Sequence, residues 1–139
     1  MTTLGLLSSE CPEIVNIPSW GKDFPAEEKQ NFTDNVFLPL VKEWVDKRTD
    51  YYSIFEDQEK CEIEARNALD IASCWQYLLR YKDVEIKSSP ALEESWDNIA
   101  MFASSFLHYE GSNNTAAIWG LTLMIGRAKK ELKKAQGWE

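Results

Sequence analysis

Ala116-Ala117-Ile118-Trp119-Gly120-Leu121-Thr122-Leu123-Met124-Ile125-Gly126 runs for eleven residues without a charge and leads into the basic stretch Arg127–Gln136. A helix that is apolar all round is normally buried all round. The run falls short of the roughly 18 residues that crossing a bilayer requires. It therefore predicts a core helix around which the rest of the chain is organised. Ala116, Ala117 and Gly120 give that helix a patch of small side chains, where a neighbouring helix can approach closely.

The segments around it also follow helical spacing. Ser89-Pro90 reads as a cap followed by proline at the first helical position. Leu92, Trp96, Ile99, Ala103 and Phe106 then form a stripe, closed by Gly111. Upstream, Ser53-Ile54-Phe55-Glu56 has the serine and glutamate of a capping box. It either opens a long helix reaching about Tyr81 or forms a short turn of its own. The inward positions of that helix are Cys61, Ala65, Ala68, Ala72, Trp75 and Leu79. From Ile71 onward the apolar face widens to take in Cys74, Leu78 and Tyr81.

The first helix should begin near Pro25 and end near Arg48. Its stripe is Val36, Phe37, Leu40, Val41, Trp44 and Val45, with Pro39 producing a kink. Asn113 or Asn114 should cap the last helix, which ends at Gly137 behind Lys129, Lys130, Lys133 and Lys134. Residues 1–24, with Pro12 and Pro18, read as an irregular arm, with a short strand as an option at Ile14–Ile17. The fold class is all-α: an antiparallel bundle of about four main helices over residues 25–139, with the proline-containing N-terminal arm packed across it. One domain over residues 1–139 suits this length.

Charge narrows the function. The net charge is −8, and the four acids between Ser88 and Ser112 have no Lys or Arg among them. Such a chain is repelled by nucleic acid and by anionic membranes, and attracted to basic protein surfaces. The expected partner is a basic protein, with no direct nucleic-acid or membrane binding; a homodimer is compatible with the same reading. Completing the helix dipole accounts for the lysines of the last helix. Cys61 and Cys74 are about 20 Å apart on one helix, too far for a disulfide. An odd cysteine count and an N-terminus without a signal-peptide pattern point to the cytoplasm.

Two constellations carry chemistry. Glu59-x-x-Glu62 and Glu94-x-x-Asp97 each place two carboxylates one turn apart, an arrangement that can hold Mg²⁺. The pattern resembles that of all-α nucleotide pyrophosphatases of the MazG type, which implies a Mg²⁺-dependent hydrolase using Glu59, Glu62, Glu94 and Asp97. Helix geometry opposes it, because in an antiparallel pair the two sites fall roughly 25 Å apart. No catalytic residue, metal site or cofactor is therefore expected. His108 is the only histidine, and no glycine-rich phosphate loop is present.

The second constellation is a surface. At about 100° per residue, Met101 falls opposite the Leu92–Phe106 stripe, ringed by Glu94, Asp97, Ser105 and His108. An adaptable methionine among acids suits a protein contact. Tyr51-Tyr52 is a second candidate contact, since tyrosine is favoured at interfaces. The function expected is a non-enzymatic acidic binding module: a small inhibitor that occludes a basic surface, of the immunity-protein or phage anti-defence type. A self-associating structural subunit is a further option.

Overall fold

The expected stripe Leu92, Trp96, Ile99, Ala103 and Phe106 is buried throughout, none of its members more than 5% exposed. A computed structural model describes residues 25–47, 58–81, 83–108 and 112–138. The elements are α1 (Ala26–Phe32), a π-helical turn (Thr33–Phe37), α2 (Leu38–Asp46), α3 (Gln58–Leu79), α4 (Pro90–His108) and α5 (Ser112–Gln136). The fold is an all-α bundle. The arm at 1–24, Arg48, Tyr51-Tyr52, the Ser53–Glu56 box and Gly111 lie outside the described residues.

α4 is the central element, packed on α3 on one side and α5 on the other. Gln76 of α3 donates to Asp97, and Arg127 of α5 donates to Glu94. Gln136, at the far end of α5, reaches the Lys87 carbonyl just ahead of α4. Both pairs are therefore antiparallel. A chain of rings ties the first helical run to this layer: Phe37 lies 6.0 Å from Trp75, Trp75 lies 5.2 Å from Trp96, and Trp96 lies 6.4 Å from Trp44. Rings at such spacings add attraction beyond their buried area.

The Ser89 hydroxyl accepts from the Leu92 N–H at 3.1 Å, so α4 starts with the expected cap. α5 ends as expected, with Gly137 at φ +76° and the N–H groups of Gly137 and Trp138 both on the Lys133 carbonyl at 3.0 Å. Its start differs. The helix already includes Ser112, so neither Asn113 nor Asn114 is its cap.

Pro39 acts differently from the expected kink. It cannot donate to Asn35, and its ring crowds that carbonyl. The helix widens just ahead of it, the Leu38 N–H reaching back five residues to the Thr33 carbonyl. The extra residue in that turn rotates Val36 outward to 39% exposure, although simple spacing put it in the buried stripe. The run ends at Asp46.

Three further expectations need correction or gain support. Ala116, Trp119 and Leu123 are exposed, so the charge-free run is not buried on all sides. α5 lies at the edge of the bundle, resting chiefly on α4 and less on α3, and one face therefore meets water. Leu79 is 37% exposed, because α3 ends there in a tightened turn. The close approach at Gly120 is present: a Cβ built there would stand 2.6 Å from Cε1 of Phe102.

Candidate protein-binding face

The outward side of α4 is set by its inward side. With Trp96, Ile99 and Ala103 fully buried, the helical repeat presents Glu93, Glu94, Asp97, Met101 and His108 to solvent, and all five are exposed. Met101 is 52% exposed, and Ser105 is half-buried beside it. The acids differ in how firmly they are held. Glu94 meets Arg127 at 3.2 Å between two exposed side chains, a pair worth little in water. One oxygen of Asp97 accepts the Gln76 amide, which fixes the carboxylate against α3.

α5 adds a part that composition concealed. The Gly120–Phe102 approach and the Arg127–Glu94 pair place α5 residues 120–127 alongside α4 residues 94–102. Leu123, 64% exposed, thus lies within about one turn of the level of Met101. Composition alone does not reveal it, because the outward side exists only since α5, among the described residues, rests chiefly on one helix. Tyr51 and Tyr52 lie outside the described residues.

The four carboxylates of the hydrolase pattern do not meet. Asp97 is level with Gln76, which is roughly 21 Å along α3 from Glu62. Glu59, Glu62, Glu94 and Asp97 all face outward. Among the described residues, no three His, Cys, Asp or Glu side chains gather as a metal centre would need.

Nor do the two thiols among the described residues suit nucleophilic work. Cys61 and Cys74 are buried and unbridged, while His108 is exposed at the end of α4. Burial, reinforced by the nearby Asp70 carboxylate, pushes the Cys74 thiol up to about 12, so it stays protonated. Asp70 itself is pushed up to about 6 by burial, against the opposing pull of Arg66. Its Oδ2 is buried without a hydrogen-bond partner among the described residues.

No family model, no curated protein and no solved structure matches this chain. Among the described residues, no helix is long and apolar enough to cross a membrane.

Proposed function

We propose that the protein is a non-enzymatic binding module of the cytoplasm, and that the outer face of α4 occludes a basic surface on a partner protein. The supporting observation is Met101, half exposed on a helix with three acids on its outer side and no lysine or arginine. Leu123 extends its apolar centre onto α5. Charge acts mainly on encounter and register, whereas a desolvated central side chain holds a complex together. An inhibitor of a nucleic-acid-handling enzyme fits this division, since such enzymes carry basic surfaces.

The two roles separate kinetically. With the partner isolated by affinity capture, Glu94→Lys combined with Asp97→Lys should slow association, and added salt should do the same to the unaltered protein. Met101→Ala should speed dissociation, by roughly tenfold if the side chain fills a pocket. Charge reversal that changes neither rate would place the contact elsewhere.

A further inference from the structure

Two hollows open at the end of the bundle where α3 passes into α4, and the Leu79 side chain lines both. The smaller, about 390 Å³, is walled by Gln76, Arg80, Glu93, Trp96 and Asp97. The larger, about 560 Å³, lies between α1 and the connector 84–87, reaching Gln136 of α5. Each falls within the size range of ligand pockets. Leu79 thus stands between them as an exposed apolar ridge.

The wall made by the connector is held in place. Gln30 donates to the Glu85 carbonyl at 2.8 Å and accepts the Glu85 N–H at 2.7 Å, so both backbone groups of Glu85 are occupied. Gln136 holds the Lys87 carbonyl at 2.7 Å. Buried Lys29 pairs with Asp83 at 3.1 Å and sits over the Tyr81 ring. A groove fixed before binding loses little freedom when it is filled. With these backbone groups taken, an incoming chain is recognised by its side chains and not by strand addition.

We infer that this groove binds an extended basic segment of a partner protein, with an apolar side chain set against Leu79 and basic side chains on either side. Charge decides the class. Among the described residues, Asp34 and Glu85 line the larger hollow and Glu93 and Asp97 the smaller, against the bases Lys87 and Arg80. Asp97 gives one oxygen to Gln76 and keeps the other for an incoming cation. The groove is centred away from Met101 and shares Glu93 and Asp97 with the outer face of α4.

The probe is a hexapeptide alternating arginine and leucine, titrated into the ¹⁵N-labelled full chain alongside a counterpart alternating glutamate and leucine. The basic peptide should shift amides in 76–80, 84–87 and 93–97. Leu79→Ala, a change at an exposed site, should weaken binding about tenfold. Arg80→Glu should tighten it severalfold, and Met101→Ala should leave it unchanged. Equal binding of the acidic peptide, or Leu79→Ala binding like the unaltered chain, overturns the assignment. Shifts confined to residues around Met101 and Leu123, lost in Met101→Ala, would assign the peptide to the α4 face instead. A captured partner insensitive to Met101→Ala would remove the α4-face reading and leave the groove standing.

Discussion

α5 and α3 distribute their polar groups in opposite ways. α5 carries eleven residues without a charge, yet Trp119 and Leu123 are exposed. α3 is rich in charge, yet it buries Asn67 and one carboxylate oxygen of Asp70. The difference lies in the neighbours and not in the composition. Among the described residues α5 has one close partner helix and therefore an outer side, whatever its composition. α3 is shared between α4, α5 and, through the Phe37–Trp75 contact, the first helical run, so polar groups along it come to be buried between neighbours.

The largest effect should come from within the charge-free run itself. Leu121 is fully buried and Leu123 is 64% exposed, two residues further on. Leu121→Ala should cost about 2–5 kcal/mol, from lost transfer energy and the cavity left behind. Leu123→Ala should stay within about 0.5 kcal/mol. Urea midpoints of the two variants make the comparison directly. Equal losses would mean that α5 is covered on its outer side, and the contrast with α3 would collapse.

A smaller effect of opposite sign separates its two glycines. Gly120 meets Phe102, whereas a Cβ at Gly126 meets nothing within 4 Å. Gly120→Leu should cost roughly 1–3 kcal/mol through overpacking, outweighing a propensity gain of up to about 1 kcal/mol. Gly126→Ala keeps that gain without a clash and should raise the melting temperature. If both variants melted higher, the Phe102 ring would be moving aside to admit a side chain at position 120, and the packing of α4 on α5 would be looser than the space beside Gly120 indicates.

Much of the fold was legible because it is local. The α4 stripe, its Ser89 cap and the Gly137 terminus each depend on residues within a few positions of one another. The failures have a common physical origin. Val36 faces outward because a π turn shifted the register ahead of Pro39, and no count of apolar residues reveals such a shift. Leu79 is exposed because α3 ends there in a tightened turn, and Leu123 because α5 lies at the edge of the bundle. The acidic face of α4 could be drawn from periodicity alone. The groove at Leu79 could not, since it depends on Gln30 clasping Glu85, 55 residues away.

The smallest effect tests the α3 side of the comparison. Asp70 has an ordinary value of 3.8, and burial lifts it to about 6 in the folded chain. Well below 3.8 the carboxyl is protonated in both states, and its contribution to stability is fully present. Between about 4 and 6 the unfolded chain releases this proton while the folded chain retains it, so stability falls as pH rises. Above 6 the loss is complete and constant. The group is only half-buried, and screening by water reduces the loss to about 1 kcal/mol. Asp70→Asn removes the titration, so its stability relative to the unaltered chain should climb between pH 4 and 6 and then level off. Urea midpoints at pH 4, 5, 6 and 7 trace that difference. A difference that is flat across the range would mean that Asp70 is solvated in the folded chain as it is in the unfolded one. α3 would then owe its buried polar character to other groups, Asn67 first among them.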